Sequence, residues 1–144
     1  MKKRICGLAA ALTAGVCLCT GLSLPASAVS MDELGDYCTN AAIQLNRVRA
    51  FWGLKPFYTV SKDSALAQAT LKRAMEYLTT KSDTRPDGSD WSTVLDEYDV
   101  PCNDAVEYRA YGYDDPKDMV NACVNSPSLL EDIQNEDYQF ACVA

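Results

Sequence analysis

The first 28 residues decide how much chain is left to fold. Lys2, Lys3 and Arg4 precede a mostly apolar run from Ile5 to Leu24, and Pro25-Ala26-Ser27-Ala28 closes it. A basic start, an apolar middle and an Ala-x-Ala end are the three parts of a secretory signal peptide, with cleavage after Ala28. A membrane anchor needs about 20 apolar residues, and Gly, Thr and Ser interrupt this run. Neither Cys17 nor Cys19 has Leu three residues before it, which disfavours a lipoprotein. Cleavage leaves residues 29–144, which is 116 of the 144, and that length suits one domain with a single core. No later apolar run is long enough to span a bilayer, so the expected product is extracellular, with no stable membrane anchor after cleavage.

The mature charge narrows the partners. The leader holds three of the 13 basic residues and no acidic ones, so 10 basic residues face 20 acidic ones, a net charge of −10. Such a surface repels nucleic acid and anionic membranes. Four cysteines follow the leader, Cys38, Cys102, Cys123 and Cys142. An even number in an exported chain suggests two disulfides, with three connectivities open, and buried free thiols are the other reading. The chain has no histidine and its cysteines fit no zinc spacing, so no metal or other cofactor is expected.

Local signals divide the chain into helices and short extended segments. Ser30 and Glu33 are spaced as a capping box, and Leu34, Tyr37, Cys38, Ala41, Ala42, Leu45 and Val48 repeat at helical spacing after it. Gly53 marks the C-cap. A second helix is predicted from near Ser61 to about Thr79. Its buried stripe is read as Ala67, Leu71, Ala74, Met75 and Leu78, with Lys72, Arg73 and Glu76 facing solvent or its edge. In Thr84-Arg85-Pro86-Asp87-Gly88, Pro86 fixes φ, Asp87 can bond its own backbone and Gly88 tolerates positive φ, which is a turn. Trp91 to Tyr98 reads as a short helix capped by Ser89 or Asp90. Ala105 to Tyr113 reads as a strand. Asp115 and Pro116 start a further helix, Ser126 and Pro127 another, and Tyr138 to Ala144 reads as a strand.

Several of these segments, in this order, resemble the CAP superfamily of secreted proteins (cysteine-rich secretory proteins, antigen 5, pathogenesis-related proteins), especially its short bacterial members. The carriers are Asn46, Arg49, Gly53, Leu54 and Pro56, then Thr84 to Gly88, Glu107, and Asn125-Ser126-Pro127. The resemblance covers about residues 34–144. It implies an α+β fold, an α-β-α sandwich with a small antiparallel sheet, here ending where relatives continue into one more strand. It also implies that the helix bearing Cys123 packs beside the strand bearing Cys142, which favours Cys123–Cys142 and Cys38–Cys102 as bridges.

The same resemblance implies a cavity whose two histidines are missing. Asp83 and Leu129 stand at those positions, while Glu107 is kept and Arg109 lies two residues along the same strand face. These four residues form the degenerate cavity-binding site. Without imidazole the metal site is lost, and a serine or cysteine nucleophile lacks its usual base, so no catalytic residue is assigned. Arg109 is expected to neutralise Glu107 and Asp83, a fixed guanidinium replacing a bound cation, or else to be an exposed strand residue. A calcium site from Asp83, Asp87 and Glu107 lacks regular ligand spacing. The expected function is a secreted, non-catalytic binding module at the cell envelope or outside the cell, taking a lipid, peptide or envelope ligand. The alternatives are a hydrolase with a remodelled carboxylate site at Asp83 and Glu107, or a decayed remnant.

Overall fold

A computed structural model describes residues 31–144 and, for the backbone alone, 11–13. The remainder of the expected leader, with its cleavage point at Ala28, lies outside the described residues. The described chain is dominated by helices. In order they run β1 (Ala11–Thr13), α1 (Met31–Phe51), α2 (Ala65–Thr80), α3 (Thr93–Glu97), β2 (Arg109–Tyr111), α4 (Pro116–Val124) and α5 (Pro127–Gln134). None of these helices is long and apolar enough to cross a membrane.

Helix ends follow the local chemistry. The α1 end is a Schellman closure: Leu54 N–H donates to the Arg49 carbonyl at 2.9 Å, Gly53 N–H donates to Ala50 at 3.0 Å, and Gly53 has φ +70°. Ser64 caps α2 by accepting from Ala67 N–H, and the helix begins at Ala65, four residues later than the start expected near Ser61. Asp115 Oδ1 accepts from Lys117 N–H at 2.7 Å, and Pro116 and Pro127 sit in the first turns of α4 and α5.

Two apolar clusters form the interior. The first joins α1, α4 and α5 through Ala41, Leu45, Met119, Val120, Leu129 and Ile133, and the tail adds Tyr138 and Ala141. The second joins α2 and α3 through Leu66, Ala69, Val94 and Leu95, with Val100 and Cys142. Two polar residues of α1 fix the turn that follows it. Asn46 Nδ2 donates to the Phe57 carbonyl at 3.1 Å, and Asn46 Oδ1 accepts from Phe57 N–H at 2.7 Å. Arg49, 2% exposed, donates to the carbonyls of Lys55, Ile133 and Asn135 at 2.6, 2.7 and 3.0 Å, and its guanidinium lies 4.1 Å from the Phe57 ring centroid. The Asn-x-x-Arg spacing is therefore a clamp that ties α1 to its own turn and to the end of α5.

The expected antiparallel sheet is the main departure. Of Ala105–Tyr113, three residues form a strand, and its partner is β1, in parallel, with Ala11 opposite Arg109 and Thr13 opposite Tyr111. In Tyr138–Ala144 two residues stand in bridges, Phe140, which pairs in parallel with Tyr58, and Val143. Ala141 and Cys142 are adjacent and both buried, the pattern of a segment covered on both faces, and Ala105 to Ala110 are all half-buried. In this structure Cys38, Cys102, Cys123 and Cys142 are not bonded to one another. Cys123 packs on the first cluster, whereas Cys102 and Cys142 belong to the second. Burial, and then the neighbouring Cys142, push the Cys38 thiol up to about 11.

Asn46→Ala should lower unfolding free energy by about 1–3 kcal/mol, because it strands a backbone donor and acceptor at Phe57. Urea titration reads this directly; a loss under about 0.5 kcal/mol, the level of an ordinary surface change, would remove the clamp.

Candidate functional site

The Thr84–Gly88 segment folds as the turn its residues predict. Gly88 N–H donates to the Arg85 carbonyl at 2.9 Å, Gly88 has φ +85°, and Thr84 bridges Asp90 across the turn. Asp87 Oδ1 accepts from Ser89 N–H and Oγ at 2.9 and 2.6 Å, and those bonds hold its carboxyl below the ordinary range. Arg85 points back from this turn onto α2. It binds Glu76 through Nε and Nη2, at 3.0 and 2.7 Å, and reaches Glu97 of α3 at 2.5 Å. One guanidinium thus ties the turn to two helices. The hydrogen bonds from Arg85 depress the Glu76 carboxyl, and those to Glu76 raise Arg85 in turn.

Arg73 of α2 is the centre of the arrangement. It is 1% exposed, and its Nε lies 3.1 Å from Glu107 Oε1 in an ion pair. That approach lacks hydrogen-bond geometry, so Nε is a buried donor without a bond, while Nη2 carries the directed contacts. Nη2 donates to Glu107 Oε2 at 3.3 Å and to the Ser82 and Asp83 carbonyls at 3.1 and 3.3 Å. Nη1 reaches Glu76 at 3.5 Å. The Glu107 side chain is 3% exposed. Burial pushes its carboxyl up, and the charges of Arg73 and Arg109 pull against that.

The four residues expected to share a cavity separate into two groups. Asp83, Glu107 and Arg109 do come together, but with a different division of labour. Arg109 Nη2 pairs with Asp83, whose side chain is 83% exposed, and its Nε stands 4.0 Å from Glu107. Its guanidinium also covers the Tyr77 ring at 4.4 Å, and Tyr77 stacks on Tyr111. Glu107 is therefore neutralised chiefly by Arg73 and secondarily by Arg109. Leu129 is elsewhere, 3% exposed in the first apolar cluster.

Sequence reading placed Arg73 and Glu76 on the outer side of α2, and this is corrected. The buried face runs through Leu66, Ala69, Thr70, Arg73 and Glu76, so the helix is rotated by about one residue from the most apolar stripe. Met75 and Leu78, expected inside, are exposed. The available signal was the spacing of 66, 69, 73 and 76, which runs down one helical face.

A small space adjoins this network at α3. The space bounded by Arg73, Thr70, Trp91 and Val94 is about 10 Å³, room for one water at most. Among the described residues, no three cysteine or carboxylate side chains gather as a metal would require. A larger opening of about 310 Å³ lies between α1 and α4. Val48, Val120 and Val124 form its floor, and Phe51, Trp52, Arg47 and Lys117 stand around it. Comparison with known proteins adds nothing to this geometry: no family model, curated protein or solved structure matches the chain.

Two outcomes test the network. Arg73→Met should cost about 3–5 kcal/mol by stranding Glu107, and adding Glu107→Gln should restore part of that. Arg109→Met, whose partner Asp83 is exposed, should cost about 0–1 kcal/mol. Equal losses for the two arginines in urea titration would contradict the assignment. The second outcome is acid sensitivity. The folded carboxyl of Glu76 titrates below its unfolded value, so its stabilisation is present above the ordinary carboxylate range and is lost as pH falls through the folded pKa. The stability gap between the parent and Glu76→Gln should therefore narrow as pH falls below about 4. A gap that stays constant down to acid pH would show that the pair does not titrate as described.

Proposed function

We propose that this chain is a non-catalytic binding module of CAP type, exported through its N-terminal leader and acting at the cell envelope or outside the cell. The observation that carries the reading is the seating of Arg73 on Glu107. An enzyme using Glu107 as acid or base needs that carboxylate within reach of substrate. Here it is 3% exposed and faces a guanidinium that cannot give up its proton at ordinary pH. Asp83, the other carboxylate of the hydrolase alternative, is exposed and paired with Arg109. The order of helices around the Thr84–Gly88 turn supports the CAP-like sandwich as the finer description of the fold, and β1, which lies within the leader, is not part of the exported module.

Binding then falls to surface features, and the α1–α4 groove supplies them. Phe51 is 83% exposed and Trp52 52%, with their rings edge to face at 5.6 Å. Large aromatics held in water beside an apolar trough are characteristic of interaction surfaces. A photoreactive residue at Phe51, in protein secreted into its native medium, should give discrete adducts. The same residue at Lys81, exposed on the far side of α2, should give none. Hydrolysis of a peptide or glycan by the purified protein, abolished in Glu107→Gln, would overturn the non-catalytic reading.

A further inference from the structure

We infer that the α1–α4 groove docks a single acidic, apolar-ridged segment of another protein. This rests on the binding reading above and names the occupant. The charge distribution carries it. The chain is strongly acidic, yet no carboxylate is among the residues lining the groove, whereas Arg47 and Lys117 both are. Four of the other arginines, Arg49, Arg73, Arg85 and Arg109, are engaged within the fold. Arg47 bonds Gln44, itself a lining residue, at 3.2 Å and stays exposed on the groove wall. A basic-rimmed apolar trough on an acidic protein complements a partner of the opposite charge pattern.

Shape selects a peptide segment over other occupants. The trough is bounded by two helices and open to solvent along the side where Phe51 and Trp52 stand. Small-molecule sites bury about 70–90% of their ligand, which an open trough does not. A helix laid in a groove instead presents anchors at i, i+3, i+4 and i+7, and aromatic and arginine side chains are the residue types that dominate such contacts. A volume of about 310 Å³ takes a few side chains of one segment and not a whole protein face. A second copy of this chain is disfavoured as occupant. A two-fold interface would set Arg47 and Lys117 of one protomer against those of its partner.

The test uses two labelled helical peptides of about 14 residues, or four turns, with Leu at i, i+3, i+4 and i+7. One carries Glu at the remaining positions and the other Lys. Fluorescence anisotropy with the purified protein should show the Glu peptide binding at least tenfold more tightly. Raising the salt concentration should weaken it. Arg47→Glu with Lys117→Glu should reverse that preference. Phe51→Ser with Trp52→Ser should weaken binding at least tenfold, and since both side chains are exposed, circular dichroism should be unchanged. Equal binding of the two peptides, no binding of either, or affinity unmoved by these variants would overturn the inference. So would groove-dependent binding to vesicles of anionic lipid without peptide binding, which assigns the groove to a membrane surface. A concentration-dependent dimer abolished by Phe51→Ser would assign it to a second copy. Adducts at Phe51 without binding of the Glu peptide would leave the binding reading standing and remove the acidic segment alone.

Discussion

Removing a guanidinium from water is costly unless carboxylates and carbonyls meet it, and Arg73 imposes that requirement on the middle of this chain. Its partners come from three separate places: Glu76 one turn along α2, the carbonyls of Ser82 and Asp83, and Glu107 ahead of β2. Each has to be in place for the charge to be buried at 1% exposure. The loop after α2 is therefore held by its backbone, which frees the Asp83 side chain to face solvent and meet Arg109. A buried pair of this kind specifies an arrangement more than it adds stability, because desolvation opposes most of the Coulombic attraction.

The turn at Thr84–Gly88 extends the same logic outward. Arg85 cannot reach Glu76 and Glu97 together unless the chain doubles back sharply, and Pro86, Asp87 and Gly88 are the residues that allow it. Glu76 in consequence meets two arginines, one buried and one from the turn. The carboxylates around this turn serve the architecture. The end of α1, by contrast, leaves Phe51 and the following Trp52 exposed.

Arg49 plays a matching part in the first core. Its donors satisfy carbonyls at the turn after α1 and at the end of α5, positions far apart in sequence. Both buried arginines thus join segments that local propensity alone would leave unconnected. The joints between segments are made by guanidinium groups and apolar contacts.

Helix boundaries and turns were legible in the sequence because they depend on neighbours within a few residues. Gly53, Asp115, Pro116, Pro127 and the Pro86-Asp87-Gly88 turn act through backbone geometry that they carry with them. The approach of Arg109 to Glu107 was expected from their spacing along one strand, and that of Asp83 from the resemblance. What tertiary structure decided was which face of α2 turned inward and which segments paired. The most apolar stripe of that helix, with Met75 and Leu78, lost to a face carrying Arg73 and Glu76, because Glu107 and Arg85 were waiting to meet those charges. Tyr138–Ala144 likewise has strand-forming residues, but among the described residues its pairing is limited to bridges, Phe140 with Tyr58 among them. Pairing energies between distant residues set these outcomes, and no local pattern records the identity of a distant partner.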